Sequence, residues 1–420
     1  MLCPPCSSGR ECAAALNGGH DIRAVVVSAR YPEPVVPDAF SRWVFAPSAI
    51  YALLLAGVLA FALTPLMMRL AWRLGVVDKP GGRRIHDRPI PLLGGVAMFL
   101  GILAGVLPNL DVDRRYAWIL LGAALICLLG ALDDRFGIPP LPKLLGQIAC
   151  AAIPVAHGMT IDSITIPFIE PSTVAFGALA YPLTILFIVA VANVVNLADG
   201  MDGLAAGVCA ISAITFAILA LSLGRISAGV MAAAIAGACL GFLPWNFNPA
   251  KVFMGDSGAL VLGFLLACVS IQGVMKTAAA LSLVFPLVVL LVPILDTSFV
   301  ILKRLKSGQS IASADRNHFH HRLLRVGYTQ RQAVGLLYAW SGVLAAFALA
   351  IRLFPYRTEG SWNLWPTIGL TLFGLLALAV TYYVIVALEI LKYGHLRKLG
   401  LLRKAAAPDE APLPRPFARG

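Results

Sequence analysis

Long uninterrupted apolar runs dominate this chain, among them "AIYALLLAGVLAFALTPLMM" (49–68) and "LTLFGLLALAVTYYVIVAL" (370–388). About 20 such residues, wound as a helix, match the thickness of a bilayer's hydrocarbon core. Runs of this kind predict eleven spans, at 46–68, 91–108, 116–132, 143–157, 179–195, 204–223, 226–243, 259–274, 281–302, 333–353 and 364–388. Spans four and eight are short, so they are expected to be tilted, extended or enclosed by neighbours. Only 13% of the residues are charged and mean hydropathy is +0.83, whereas a soluble domain carries about 25% charged residues. The expected fold class is an all-α polytopic membrane protein.

The basic residues give an orientation. Of 33 Lys and Arg, 23 fall in or at the edge of the segments that follow odd-numbered spans (69–90, 133–142, 196–203, 244–258, 303–332, 389–420). The opposite side, apart from the N-terminal arm, holds only Arg114, Arg115, Arg225, Lys276, Arg352 and Arg357. Lys and Arg accumulate on the cytoplasmic side of membrane proteins. The expectation is therefore an N-terminus outside, a cytoplasmic C-terminus and a multi-pass location in the cell inner (plasma) membrane. The net charge of +12 then records topology, not nucleic-acid binding. The chain divides into a polar arm (1–45), a transmembrane domain (46–388) and a basic tail (389–420), which lies beside anionic headgroups. Cys127, Cys150, Cys209, Cys239 and Cys268 lie in apolar spans, where cysteine acts as a small hydrophobe. "CPPC" in the arm is a lone C-x-x-C and weak evidence for redox or metal chemistry. "MTIDSITIPFIE" (159–170) reads as a short external hairpin.

The polar clusters all fall on the side assigned to the cytoplasm. They are "ALDDRFG" after span three, "NVVNLADGMDGLAAG" after span five, "PWNFNPAKVFMGDSGAL" after span seven and "ADRNHFHHRLL" after span nine. Asp133, Asp134, Asp199, Asp202 and Asp256 sit at span ends, where an unpartnered charge near hydrocarbon is costly. Gathered together they would repel one another, and a hard divalent cation such as Mg²⁺, with Mn²⁺ as a substitute, relieves that repulsion. Asn193, Asn196, Asn246 and Asn248 add amide oxygens and donors. Glycines in "ADGMDG" and "MGDSG" allow close approach of phosphates, and Lys79, Arg135, Lys143, Arg316 and Arg322 supply positive charge. This combination describes a diphosphate site. No GxxxxGK[ST] loop is present, which disfavours ATP hydrolysis. Taken singly, each acidic cluster also reads as a helix cap or turn, and "HFHH" as a solvated loop.

Five motifs in order, "KPGGRRIHDRPIPLLGG", "DDRFGIPPLPKLLGQ", "NVVNLADGMDGLAAG", "NPAKVFMGDSGALVLGFLLA" and "ADRNHFHHRLLRVGYTQRQAV", closely resemble the polyprenyl-phosphate N-acetylhexosamine-1-phosphate transferases (MraY/WecA family, glycosyltransferase family 4). The resemblance covers about residues 46–350. It implies transfer of N-acetylhexosamine 1-phosphate, GlcNAc-1-phosphate foremost, from a UDP-sugar to undecaprenyl phosphate, with release of UMP. Asp256 matches the metal-binding aspartate, with Asn196 as a second oxygen ligand. Asp133 and Asp134 match an acid pair that positions or deprotonates the lipid phosphate; direct displacement and an aspartyl-phosphate intermediate both remain open. Asp199 and Asp202 match positions lining the nucleotide pocket, Asn246 and Phe253 uracil contacts, and Lys143 a phosphate contact. His318, His320, His321 and Arg316 match a loop that binds the diphosphate.

Arg322 and "PLLGG" stand where the UDP-muramoyl-pentapeptide branch usually has an acidic residue and a "PTMGG"-like stretch, so a small UDP-sugar is expected. The pentapeptide transferase of peptidoglycan synthesis is the alternative within the family. Expected partners are the UDP-N-acetylhexosamine, the polyprenyl phosphate, membrane lipids and a second copy of the chain as a candidate homodimer. Two rivals stand outside this reading. A transporter would place polar residues near the bilayer midplane in two related halves, and an inactive homologue would have lost some of the five aspartates.

Overall fold

The structure is a computed structural model that describes residues 47–78, 88–112, 115–165, 173–275, 290–292, 294–295, 327–354, 356–358 and 361–387. Ten α-helices run through these residues: α1 Pro47–Leu74, α2 Gly94–Val106, α3 Arg115–Phe136, α4 Pro140–Ala156, α5 Ala180–Ala198, α6 Leu204–Ser222, α7 Ile226–Asn246, α8 Gly255–Ser270, α9 Gln330–Leu353 and α10 Leu364–Ala387. Eight helical stretches are long and apolar enough to cross a membrane, and two apolar helices (Gly94–Asn109 and Pro140–Ala156) are shorter. The chain is a polytopic helical membrane protein. The expected ninth span, the N-terminal arm with "CPPC", the basic tail and the histidine loop with Arg316 lie wholly or mostly outside the described residues.

Two of the helix boundaries that differ from the hydropathy reading have a clear local reason. α3 runs one turn past residue 132 and takes in Asp133 and Asp134; Gly137, at φ 66°, closes it by donating to the Asp133 carbonyl at 2.8 Å, the usual glycine stop. α4 begins at Pro140 because proline is preorganised for a first helical position and has no N–H to leave orphaned. The hairpin is present, but its strands are Ser163–Thr165 and Thr173–Ala175, so the second lies beyond the segment expected to form it.

Small residues set the closest contacts. α1 lies against α7 through Leu53 and Gly57 on one side and Gly237 and Gly241 on the other, and against Gly101 and Gly105 of α2 through Ala52, Ala56 and Ala60; a Cβ at Gly237 would strike the Leu53 carbonyl. Such glycines let transmembrane helices approach at backbone distance. α8 is the centre of the bundle, packed by α2, α3, α5, α6 and α7, and 89% of its apolar window is buried; α10 lies at the edge, with 11% buried. The connections after α1, α3, α5 and α7 meet at one end of the bundle, the end at which α8 and α9 begin. Arg135 Nη1 donates to the Gly75 carbonyl at 3.1 Å, and Asn248 Nδ2 to Gln330 Oε1 at 2.6 Å.

Candidate active site

The site is built around the first turn of α8. The segment "VFMGDSG" (252–258) enters the helix through Gly255, at φ 65°, and a Cβ there would collide with the Asp134 carboxylate. Both the backbone conformation and the space therefore call for glycine. The entry to α2 braces the segment: Phe253 N donates to Pro91 O at 2.9 Å, Gly94 N to Phe253 O at 3.1 Å and Gly95 N to Met254 O at 2.9 Å. The motif "IPLLGG" thus acts as a backbone splint for Asp256.

α8 lacks a side-chain cap of its own at Met254, and the first N–H groups of a helix have no intrahelical partner. Asp134 of α3 fills the gap. Its Oδ1 accepts from Asp256 N at 2.8 Å and its Oδ2 from Ser257 N at 3.2 Å. A carboxylate there also faces the positive end of the helix dipole. Asp134 therefore holds Asp256 in place, while its neighbour Asp133 faces the open site.

Asp133 directs Oδ1 at Ile138 N, 2.6 Å away, and Oδ2 at Lys143 Nζ, 2.8 Å away. Lys143 also pairs with Asp256 Oδ2, while Asp256 Oδ1 accepts from Asn196 Nδ2 at 2.8 Å. The Asp133 and Asp256 carboxylates lie within hydrogen-bond reach of each other. The side chains of Lys143, Asp133 and Asp256 are 17%, 13% and 27% exposed, so a ligand has access to all three. Four helices, α3, α4, α5 and α8, thus contribute one polar group each to a single point.

Asp199, at the C-terminal cap of α5, is half-buried. Burial, followed by the negative charges of Asp256, Asp134 and Asp202, pushes its carboxyl up to about 8. Asp202 instead secures the α7–α8 loop, its Oδ2 accepting from Asn248 Nδ2 and from Ala250 N, both at 3.0 Å. Asn246 is only 2% exposed and uses its whole amide internally, donating to Val252 O at 2.9 Å and accepting from Gly203 N at 3.0 Å. The structure thus makes Asn246 a staple between the α6 entry and the α7–α8 loop. Phe253 is half-buried and fixed through its backbone. Asn193 is likewise engaged, donating to Gln147 Oε1 at 2.6 Å and to Val189 O at 2.8 Å.

Among the described residues, no three His, Cys, Asp or Glu side chains form a preassembled metal cluster. The donors are nonetheless of the right kind for a hard cation. Two carboxylates and an amide converge, and in this structure a bound cation, the Lys143 ammonium, already meets the carboxylates. Mg²⁺ is commonly held by one or two carboxylates together with substrate phosphates and water, so the donor set fits.

The profile described as "Glycosyl transferase family 4" matches residues 116–274. The chain is 37% identical over 304 residues to a Bacillus subtilis protein named probable undecaprenyl-phosphate N-acetylglucosaminyl 1-phosphate transferase, covering 72% of this chain and 85% of that one. The chain belongs to glycosyl transferase family 4. Two further relatives agree. A decaprenyl-phosphate N-acetylglucosaminephosphotransferase of Mycobacterium tuberculosis is 37% identical over 335 residues, covering 73% of this chain and 82% of the relative. The Escherichia coli protein named undecaprenyl-phosphate alpha-N-acetylglucosaminyl 1-phosphate transferase is 31% identical over 323 residues, covering 70% and 87%. In this family 4 chain the matched stretch includes every site residue from Asp133 to Asp256.

Other participants came into view only in the folded chain. Gln330 and Arg331 open α9 and grip Asn248, Arg331 donating to its carbonyl through Nε at 3.2 Å and Nη2 at 2.9 Å. Tyr338 donates to the Gly203 carbonyl, and a Cβ on Gly207 would overlap its ring. The one signal in the sequence was that Gln330 and Arg331 stand at the end of the histidine motif.

Proposed function

We propose that this chain transfers N-acetylglucosamine 1-phosphate from UDP-N-acetylglucosamine to a polyprenyl phosphate, undecaprenyl phosphate in the first instance, at the cytoplasmic face of the cell inner membrane. UMP is released and a lipid diphosphate sugar remains in the membrane to start an envelope glycan. The observation that carries this reading is the meeting of Asp133, Lys143, Asn196 and Asp256 from four helices at one end of the bundle. That end is also where the basic residues concentrate, which supports a cytoplasmic location. The names of three relatives 31–37% identical to this chain support the sugar and the lipid.

In the proposed reaction an oxygen of the lipid phosphate attacks the β-phosphorus of the UDP-sugar. The bond from that phosphorus to the bridging oxygen breaks, and UMP carries the electron pair away. Both reactants are anionic, so the site must lower charge repulsion and align them. Lys143 contributes a positive charge at the diphosphate. In the unliganded site Asp133, fixed by Ile138 N, sets the direction in which that ammonium points. Asp256 and Asn196, joined by the converging oxygen of Asp133, would hold Mg²⁺, which when bound neutralises diphosphate oxygens. Asp199 and Asp202 line the nucleotide side, with Phe253 beside the base. His318, His320, His321 and Arg316 complete the proposal as donors to the diphosphate.

Direct displacement is favoured by the engagement of the acids. Asp134 spends both carboxylate oxygens on the backbone N–H groups of Asp256 and Ser257, which leaves it no free oxygen as nucleophile. A lipid phosphate, with a second pKa near 6, is largely dianionic at neutral pH without a general base. The test is to incubate the purified protein in detergent with undecaprenyl phosphate and a panel of UDP-sugars. UMP release with UDP-N-acetylglucosamine is expected. Release with UDP-muramoyl-pentapeptide alone would move the chain to the peptidoglycan branch, and no release with any donor would favour a transporter.

A further inference from the structure

We propose that Lys143 is an exchangeable internal counter-ion, occupying the carboxylates in the unliganded site and yielding them to the divalent cation as that ion binds. This rests on the function proposed above and adds a second state to it. Asp133 and Asp256 each have one oxygen held by a neutral donor, Ile138 N and Asn196 Nδ2 respectively. Their other oxygens both converge on the Lys143 ammonium. An ion that takes these two converging oxygens must displace the monovalent cation already there.

The geometry makes the displacement feasible. Lys143 stands in the first turn of α4, and its long flexible side chain remains 17% exposed, so the head group has somewhere to go. Gln147, one turn along α4, is buried at 1% and tied to Asn193 on α5. The helix is thus anchored while the lysine head swings. Freed from the carboxylates, the ammonium carries a full charge available to the substrate's diphosphate. Ion and diphosphate should therefore assist each other's binding, as two ligands that favour the same rearranged state. In their absence the ammonium prevents the repulsion that two unneutralised acids would suffer.

The test measures Mn²⁺ binding by the loss of its free-ion electron paramagnetic resonance signal, with full-length protein in detergent and neither UDP-sugar nor lipid present. Lys143→Met should bind Mn²⁺ at least about tenfold more tightly than wild type, or about 1.4 kcal/mol. Lys143→Arg, which keeps the charge, should remain within about threefold of wild type. Equal or weaker binding by a folded Lys143→Met protein overturns the proposal. Because that variant leaves two acids facing each other, a second measurement uses wild type alone. Reductive methylation of Lys143, read by peptide mass spectrometry, should rise when Mn²⁺ is added, and unchanged labelling would count against exchange. UMP release by the same wild-type preparation separates the two ideas. Transfer without lysine exchange removes only this inference, whereas exchange without transfer removes the assigned reaction.

Discussion

Replacing Asp134 by alanine and by asparagine asks whether this acid serves chemistry directly or serves the helix that carries Asp256. Asp134 accepts from two backbone N–H groups at the start of α8, at 2.8 and 3.2 Å, and that helix has no side-chain cap of its own. Losing an ordinary N-cap costs about 0.5–2 kcal/mol, and a hydrogen bond to a charged group contributes about 1.5–3 kcal/mol. Two such bonds, one of them long, place Asp134→Ala at a loss of about 3 kcal/mol. Asp134→Asn keeps one accepting oxygen and loses the charge, so roughly half that loss is expected. Thermal unfolding in detergent reads the stability, and UMP release against Mg²⁺ concentration reads the site. If Asp134 holds Asp256, both variants need more Mg²⁺ for half-maximal rate, and asparagine recovers part of what alanine loses. The reasoning fails if Asp134→Asn unfolds like wild type and keeps its Mg²⁺ requirement while turnover collapses, because such a residue would be acting on substrate.

Asp256→Asn should abolish transfer and leave thermal unfolding within a few degrees of wild type, since the residue's shape is kept and only its charge is lost; measurable turnover at saturating Mg²⁺ would contradict its assignment. His320→Ala should slow UMP release at least tenfold, about 1.4 kcal/mol, without changing the unfolding midpoint. Asp199 gives a pH prediction. Its carboxyl is held up to about 8 against an ordinary value of 3.8, so between these values the unfolded chain loses a proton that the folded chain keeps. Without divalent cation, stability should therefore fall as pH rises through that window. Asp199→Asn should show a smaller fall in unfolding midpoint between about pH 5 and about pH 8.5, and parallel curves would refute the assignment.

Hydropathy and motif order made most of the helices and the meeting of the three acidic segments legible in advance, because both are written in local composition. Asp133, Lys143, Asn196 and Asp256 do meet. Less visible was the division of labour inside "DDR". Successive residues on a helix point about 100° apart, so two adjacent aspartates face different partners, one the open site and the other the start of α8. The structural role of Asn246 was hidden for a related reason. An amide suits a base edge and two backbone groups equally well, and only the fold shows that Val252 and Gly203 already occupy it. The tie between Asn248 and Gln330 spans 82 positions, and no local pattern carries a contact of that range.

The arrangement of partners around the acids also bears on what sort of site this is. Six carboxylate oxygens belong to Asp133, Asp134 and Asp256, and four of them face neutral N–H donors: the backbone of Asp256, Ser257 and Ile138 and the short side-chain amide of Asn196. The three backbone donors cannot leave without moving the chain itself. The remaining two face Lys143, the one partner on a flexible stem. A purely structural acid cluster gains most from immobile donors on every oxygen, since an unpartnered charge in a low-dielectric setting is costly. Here rigidity stops at the two oxygens that share the Lys143 ammonium, at the entrance to the most enclosed of the described helices. In the proposed reaction, confining the mobility to that pair would let a cation and a diphosphate enter without disturbing the scaffold. The reacting atoms of that proposal would then lie beside Lys143, away from Asp134.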